Sequence, residues 1–341
     1  MTVLEFFRSL NGKLSVKLNL HSHLEGTMRP STAAALAAEA GIPAPEGGWE
    51  KALQLEGPSN LTVYLSKVAA TYPFFRSPGH IARIACEAVE DAAADGTDYL
   101  ELRFGPATHV HRGFDMDSVL RSVCDGMEEG SHRTGIDAGV VIAALRHHDE
   151  EANIAVARAA SRYAGKGIVG FDLAGDEAIF YDLSKYERAF AIARAAGLGL
   201  TCHAAEARPG SAAREAVERF GVSRIGHGAH LAEDIESLQW VREHGVVVEC
   251  CPTSNWYTGA IARRRDHPAK YFRQQGLKIV LGDDNPVQTK SLLSNERRVL
   301  TDELGFSEHD LHTVDRDSVS AAFVDDSVRQ RFLSLLNENS H

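Results

Sequence analysis

The sequence predicts an α/β fold, a (β/α)8 TIM barrel with extra helices in the connection after the first strand and at the C-terminus. Eight short apolar runs, rich in β-branched and aromatic residues, alternate with helical patterns. Several of these helical patterns end at a glycine, a common stop signal for a helix. Ionisable residues recur where the apolar runs end, which is the face that carries the active site in such barrels. We therefore expect one domain that spans residues 1–341.

The predicted strands and helices alternate along the chain. Strands are predicted at residues 18–23, 99–104, 138–146, 168–173, 198–203, 224–227, 246–250 and 278–281. Helices are predicted at residues 33–40, 61–70, 80–94, 149–163, 183–196, 211–220, 234–244 and 268–275, and residues 291–336 are helical by pattern. The connection between the first two strands is unusually long, and such connections tend to carry lids and pocket walls.

The composition argues against several classes of function. A net charge of −11 opposes nonspecific binding to nucleic acid or to an anionic membrane surface. No segment approaches the roughly 18 uninterrupted apolar residues that a membrane span requires. The five cysteines form no C-x-x-C pair and fit a reducing compartment. We expect a cytoplasmic protein with a small-molecule partner rather than nucleic acid or membrane, and the sequence carries no signal for the oligomeric state.

Two histidines at the end of the first strand suggest a metal site. His21 and His23 are separated by one residue, so on a strand their imidazoles point to the same face. Such a pair alone is more often structural than metal-binding. Further candidate ligands end later strands, namely His203 and an aspartate from Asp283 or Asp284. Three imidazoles and one carboxylate form a ligand set that suits a borderline metal such as Zn²⁺.

Six motifs in this sequence resemble those of the adenosine deaminase family within the metal-dependent amidohydrolases. They are H-S-H-L-E-G, F-D-L-A-G-D-E, T-C-H-A-A-E, G-H-G, C-P-T-S-N-W-Y-T-G-A and D-D-N-P, and in this order they run from residue 17 to about residue 291. The resemblance implies one Zn²⁺ per chain and hydrolytic deamination of a purine substrate, with adenosine converted to inosine and ammonia. Related subfamilies act on adenine, AMP or modified adenine nucleosides such as aminodeoxyfutalosine, which are the alternative substrates.

The resemblance also implies which residues bind zinc. It assigns three histidine ligands, His21, His23 and His203, and a fourth ligand from the eighth strand. The family commonly reads Thr-Asp-Asp-Pro there, so an alignment on Pro286 selects Asp284, whereas an alignment on the acid pair selects Asp283. We predict Asp284, because the proline alignment keeps the downstream residues in register without a gap.

The catalytic roles follow from charge once the family is assumed. Bound Zn²⁺ lowers the pKa of its water toward ~7, so that hydroxide can attack C6 of adenine. His227 would take or orient the proton of this water, and Asp284 could also accept it. Glu206 would protonate ring N1, since attack at C6 pushes electron density onto that nitrogen. This role requires a raised pKa for Glu206 in a closed pocket.

Three further residues are predicted to contact the substrate. Glu25 stands at the position that contacts the ribose 5′ hydroxyl in the family, and the backbone N–H of Gly175 would face purine N3. Asn285 stands where the second acid of the family usually lies, near purine N7. An amide NH₂ can donate to the lone pair of N7, whereas an ionised carboxylate cannot.

The absence of two sequence features argues against other kinds of metal site. The other class of zinc deaminases pairs an H-x-E with a P-C-x-x-C, and this sequence has no P-C-x-x-C. The fourth strand offers Asp172 between two apolar residues instead of the lysine that bridges two metals in binuclear relatives, so one metal is expected. A barrel that kept the fold but serves only as a binding module is the alternative from another class, and the presence of both Glu206 and His227 argues against it.

Overall fold

Eight parallel strands form the central sheet of the computed structural model, which describes residues 15–338. Each strand pairs with the next one in sequence, in the order β1 to β8. Around the isolated bridge between Ser22 and Asp284, His23 N donates to Asp284 O over 2.7 Å and Asp284 N donates to His21 O over 2.8 Å. These bonds bring the two edge strands together. The predicted (β/α)8 barrel is therefore confirmed.

The predicted strands all occur, and each of their ends lies within one residue of the observed end. The strands are β1 (Leu18–His23), β2 (Tyr99–Phe104), β3 (Asp137–Leu145), β4 (Ile168–Ala174), β5 (Gly199–Ala204), β6 (Arg224–His227), β7 (Val247–Cys250) and β8 (Ile279–Leu281). Their β-branched and aromatic residues suit a sheet that is covered on its outer face by helices.

The helices follow the predicted alternation. They are α1 (Pro30–Ala40), α2 (Gly48–Leu53), α3 (Leu61–Ala69), α4 (Pro78–Ala94), α5 (Met116–Thr134), α6 (Glu150–Arg162), α7 (Glu187–Ala195), α8 (Ser211–Phe220), α9 (Ile235–Glu243), α10 (Pro252–Tyr257), α11 (Ala269–Gln274), α12 (Pro286–Thr289), α13 (Leu293–Arg298), α14 (Glu308–Ala321) and α15 (Asp326–Glu338). The extra helices α1, α3, α14 and α15 lie where the sequence predicted them, whereas the short helices α2, α10 and α12 were not among the predicted ones. Within residues 15–338, none of the helices is both long and apolar enough to cross a membrane.

Helix α5 was not among the predicted helices, although it has 19 residues. Its glycines, Gly126 and Gly130, normally weaken a helix. A Cβ atom at Gly126 would lie 2.2 Å from the carbonyl oxygen of Ala82, and one at Gly130 would lie 2.6 Å from Cβ of Val89. Both contacts are with α4. The glycines therefore allow α4 and α5 to pack closely, and tertiary packing outweighs the local propensity.

A bulge in β1 determines which of its side chains face into the barrel. The pairing of β1 with β2 shifts register between Asn19 and Ser22, and such a bulge changes the alternation of side chains. Leu20 belongs to the apolar cluster that closes the N-terminal end of the barrel, whereas the next residue, His21, belongs to the cluster at the opposite end. Asn19 and Ser22 both line a cavity of about 510 Å³ outside the barrel. Because of the bulge, the consecutive residues Leu20 and His21 both point into the barrel.

The segment between α14 and α15 closes the N-terminal end of the barrel. The guanidinium carbon of Arg224 lies 3.6 Å from the ring centroid of Phe323, and the backbone N–H of Phe323 donates to Glu101 over 2.6 Å. A Cβ atom at Gly199 would lie 2.1 Å from the same ring. Gly199 is therefore required here by close approach of the aromatic ring to β5.

We predict that Gly199→Ala lowers the free energy of unfolding by about 1–3 kcal/mol, because the added methyl group overpacks the contact with Phe323. Urea denaturation followed by circular dichroism measures this change. Gly79→Ala is the matched control, since no atom lies within 4 Å of a Cβ atom built at Gly79. Equal stability of the two variants would contradict the prediction.

Candidate active site

Histidine and aspartate side chains converge at the C-terminal mouth of the barrel. Donor atoms of His21, His203, His227 and Asp284 all lie within 4.8 Å of one another, and these four residues are buried. His23 Nε2 lies 3.2 Å from Asp284 Oδ1 and 3.2 Å from His203 Nε2. His21 Nε2 is buried and has no hydrogen-bond partner among the described residues. A buried imidazole nitrogen without a partner fits a metal ligand, so this cluster can hold a metal ion.

The strand ends supply these side chains. His21 and His23 end β1, His203 lies in β5, and His227 ends β6. Asp284 follows β8 at a φ of 60°, and His227 has a φ of 66°. Residues other than glycine rarely adopt this left-handed conformation, and strained residues of this kind cluster at functional sites. The barrel thus holds two of the five residues in a strained backbone conformation.

Two buried carboxylates orient the imidazoles of the cluster. Glu249 Oε2 lies 2.7 Å from His21 Nδ1, and Asp172 Oδ2 lies 3.0 Å from His203 Nδ1. Arg103 donates to both carboxylates, to Asp172 over 3.1 Å and to Glu249 over 3.0 Å. With Nδ1 engaged in this way, each histidine can present Nε2 to the metal, as metal-binding histidines usually do.

The carboxylate of Glu249 is held by a second arginine as well. Arg224 Nε lies 2.7 Å from Glu249 Oε1, and the hydroxyl of Thr201 donates to the same oxygen over 2.8 Å. Burial alone would raise the pKa of Glu249, but the charges of Arg103 and Arg224 hold it well below its usual range. Glu249 therefore stays ionised inside the barrel.

Sequence reasoning missed this network of Arg103, Glu249 and Arg224. A signal was present, because these charged residues interrupt runs that are otherwise apolar, such as Leu100-Glu101-Leu102-Arg103. Charged residues are almost never fully buried unless they are paired. The strand alternation alone does not give the partner of each charge, since the partners lie on strands that are distant in sequence.

Asp284 and Asp283 point to different sides of the barrel wall. Oδ2 of Asp284 accepts hydrogen bonds from Tyr64 over 2.8 Å and from Ser254 over 2.5 Å, and Oδ1 faces His21 and His23. Burial alone would raise the pKa of Asp284, but the neighbouring imidazoles of His21 and His23 lower it well below its usual value. Asp283 instead lines the outer cavity, and burial raises its pKa to about 7.

Glu206 is buried at the edge of the cluster. Its Oε1 accepts hydrogen bonds from Thr258 over 3.0 Å and from Asn255 over 3.4 Å, and its Oε2 lies 3.8 Å from His227 Nε2. Burial raises the pKa of Glu206 to about 8, and the charge of Asp284 acts in the same direction. At neutral pH this carboxyl group therefore carries a proton.

A chain of hydrogen bonds defines the tautomer of His227. The backbone N–H of Ala269 donates to His267 Nδ1 over 3.2 Å, which leaves the proton of neutral His267 on Nε2. That nitrogen lies 3.2 Å from Asn255 Oδ1, and Asn255 Nδ2 lies 3.0 Å from His227 Nδ1. Because the amide NH₂ only donates, His227 Nδ1 accepts. Burial lowers the pKa values of both histidines, and neutral His227 thus carries its proton on Nε2.

Comparison with known proteins identifies the family. Residues 16–339 match the sequence model of the family described as adenosine deaminase. This chain belongs to the adenosine deaminase family. It is therefore an enzyme of the hydrolytic deaminase class, and the prediction of an aminohydrolase is confirmed.

Individual relatives extend this comparison over nearly the whole chain. An adenosine deaminase of Clostridium botulinum strain 657 is 30% identical over 326 residues, which cover 94% of this chain and 98% of the relative. An adenosine deaminase of Vibrio atlanticus is 31% identical over 330 residues, with 94% and 98% coverage. The crystal structure of an adenine deaminase from Arthrobacter aurescens is similar with a TM-score of 0.87 at 26% identity, covering 95% of this chain and 98% of that one.

Glu25, which the resemblance to adenosine deaminases places at the sugar, is buried beside the first strand. His109 Nε2 lies 3.0 Å from Glu25 Oε1, and the ring of His109 stacks on Phe75 with 4.3 Å between the centroids. Burial alone would raise the pKa of Glu25, but the hydrogen bond and charge of His109 lower it below its usual value. Glu25 is therefore ionised. His109 lies in a short helical turn after β2, and no sequence motif pointed to it.

Asn285 and Gly175, the other two residues expected at the substrate in adenosine deaminases, both lie just after strands, at β8 and β4. Asn285 is buried, and its Oδ1 has no hydrogen-bond partner in the described part of the chain. A Cβ atom at Gly26 would lie 2.3 Å from this oxygen, which explains the glycine of the H-S-H-L-E-G motif. Gly175 directly follows β4 and has a φ of 110°, a conformation that favours glycine.

We predict that Asp284→Asn lowers the affinity for a divalent metal ion by at least about tenfold, because it removes the carboxylate that faces the histidines. The metal content is measured by plasma mass spectrometry after dialysis against a chelator. Asp283→Asn is the matched control and should keep the wild-type metal content, since Asp283 lines the outer cavity. The reverse result would assign the ligand to Asp283.

Proposed function

We propose that this chain catalyses the hydrolytic deamination of adenosine to inosine and ammonia, with one zinc ion per chain. The observation that carries the proposal is the meeting of a metal-binding cluster with a protonated carboxyl group, that of Glu206, at the mouth of one barrel. Relatives named adenosine deaminase at 30% and 31% identity support the choice of substrate.

In this proposal His21, His23, His203 and Asp284 hold the zinc ion. The unpartnered Nε2 of His21 and the chemistry of three imidazoles and one carboxylate fit this metal. When bound, zinc would supply a Lewis acid that lowers the pKa of water toward ~7. Asp172 and Glu249 orient His203 and His21, because each carboxylate contacts the Nδ1 atom of one of these histidines.

Glu206 acts as the general acid in this mechanism. Attack of water at C6 of the purine places electron density on N1, and a proton delivered there stabilises the tetrahedral intermediate. The raised pKa of Glu206 keeps this proton available at neutral pH. The amino group then takes up the proton removed from the water and leaves as ammonia, while the proton of the new C6 hydroxyl returns to Glu206 and a 6-oxo purine remains.

His227 orients the attacking water rather than removing its proton. Asn255 donates to Nδ1 of His227, so the neutral ring presents an N–H group at Nε2 and donates to an oxygen atom there. The remaining acceptor beside the cluster is Oδ1 of Asp284, since Oδ2 already accepts from Tyr64 and Ser254. We therefore assign the acceptance of the water proton to Asp284.

The ionised side chain of Glu25 favours a neutral sugar over a phosphate. In this proposal Glu25 accepts from the ribose 5′ hydroxyl, Gly175 donates its backbone N–H to purine N3, and Asn285 donates to N7. A phosphate at the 5′ position would meet the negative charge of Glu25 in a buried site, where like charges repel strongly. Adenosine is therefore preferred to AMP.

Adenine is the second candidate substrate. The Arthrobacter aurescens structure, which is similar over 95% of this chain, is that of an adenine deaminase. Free adenine would leave the carboxylate of Glu25 without a sugar hydroxyl. The hydrogen bonds from His109 and Gly105 would then be its partners.

Assays with several purine substrates test the proposed preference for adenosine. We predict that the zinc-loaded enzyme has its greatest kcat/KM for adenosine, measured as ammonia release from adenosine, adenine, AMP and aminodeoxyfutalosine. Glu25→Gln should reduce the preference for adenosine over AMP, because it removes the charge that repels the phosphate. A greatest kcat/KM on adenine would replace adenosine by the second candidate.

We also predict that Glu206→Gln lowers kcat by about 10²- to 10⁴-fold with unchanged metal content, because it removes the proton donor. In the wild-type enzyme kcat/KM should fall as the pH rises through about 8, since Glu206 is protonated only below its pKa. Glu218→Gln, at an exposed position of α8, is the control. A wild-type rate in Glu206→Gln would refute the role of Glu206.

A further inference from the structure

Glu177 binds the backbone of the turn that carries Glu206. Its Oε1 accepts from the backbone N–H groups of Glu206 and Ala207, each over 2.6 Å, and of Arg208 over 3.2 Å. Its Oε2 accepts from the N–H of Ala205 over 3.2 Å. Glu177 itself is 2% exposed. One buried carboxylate thus holds four consecutive N–H groups.

These N–H groups lie between β5 and α8, where neither a strand ladder nor a helix pairs them. Ala205 has a φ of 56°, a left-handed conformation that costs a residue with a side chain about 1–2 kcal/mol. Successive N–H groups in such a turn point to one side and form a concave site for an anion. The carboxylate of Glu177 occupies that site and makes the strained turn stable.

Arg146 ties the same turn to the preceding strand. Its Nη2 donates to the carbonyl oxygen of His203 over 2.8 Å and lies 3.8 Å from Glu177 Oε2. Its Nη1 donates to the carbonyl oxygen of Phe180 over 3.0 Å. Glu177 and Arg146 therefore connect the loop after β4, which contains Gly175, to the end of β5. These contacts join the two loops that face the purine in the proposed function.

The charge of Glu177 also helps to raise the pKa of Glu206. Burial and the charge of Asp284 are the larger causes of the raised pKa of Glu206, and the charge of Glu177 adds to them. Glu177 does not contact the metal cluster or the pocket through its carboxylate, since both oxygens are used by the turn. Its most direct connection to the reaction is the turn that carries Glu206.

We propose that Glu177 is a positioning residue, which holds the carboxyl group of Glu206 against the substrate by binding the four N–H groups of residues 205–208. The inference rests on the proposed role of Glu206 as proton donor. A merely structural carboxylate would lower the rate whether or not Glu206 can donate a proton, whereas a positioning residue has no effect once that proton donor is removed.

A double-mutant cycle separates these two cases. We expect Glu177→Ala to lower kcat by about 10- to 100-fold with KM changed by less than about threefold, since the acid is misplaced but the other contacts remain. In the Glu206→Gln background the same change should lower the residual kcat by less than about twofold. Metal content and melting temperature are measured for every variant.

Glu177→Gln carries the same test should the alanine variant not fold. The amide oxygen can still accept from three of the N–H groups, so the loss in kcat should be smaller than in the alanine variant. The fall of kcat/KM at alkaline pH should move to lower pH, because the charge of Glu177 is removed. Asp95→Asn is the control, since Asp95 also accepts from a backbone N–H and a hydroxyl group, those of Ser294 in the first turn of α13, but does not contact residues 205–208.

Equal losses in kcat in the wild-type and Glu206→Gln backgrounds would overturn the positioning role and leave the proposed function intact. A wild-type rate in Glu206→Gln alone would instead overturn the proton-donor role, and the inference about Glu177 with it. The two failures are therefore distinguishable within one double-mutant cycle.

Discussion

The ion pairs of Arg103 with Asp172 and Glu249 are the interaction on which both the barrel and its site depend. All three side chains are completely buried, and a buried charge without a partner is strongly destabilising, by about 3–5 kcal/mol when one member of a pair is removed. The same carboxylates engage Nδ1 of His21 and His203. These buried charges therefore also determine the orientation of the imidazoles, so the stability of the barrel and the arrangement of its histidines depend on one set of contacts.

Much of the architecture could be predicted because its signals are local. Apolar runs defined every strand, and the histidines at strand ends led to the cluster at the mouth. Helix α5 was missed because Gly126 and Gly130 serve its contact with α4, and such a contact is invisible in the segment alone. The register of Asp284 depended on an alignment choice, and only the position of the chain after β8 brings its carboxylate to the histidines.

The partners of the site residues could not be predicted for a different reason. Glu249 lies 228 residues from His21, and Tyr64 lies 220 residues from Asp284. Such pairs form only when the barrel closes, and no spacing rule relates them. The tautomer of His227 depends in the same way on His267 and Asn255, which reach it from the connections after β7. Motifs can identify the residue types at a site, but the protonation states of these residues depend on partners that only the folded chain brings near.

The ring of Phe323, which closes the N-terminal end of the barrel, connects the C-terminal segment to the histidine cluster. Phe323 stacks on Arg224, Arg224 pairs with Glu249, and Glu249 contacts His21. These residues span nearly the full described length of the chain. During synthesis on the ribosome, His21 emerges about 300 residues before the ring that completes this series of contacts. The full series of contacts that holds His21 can therefore form only after Phe323 has been synthesised.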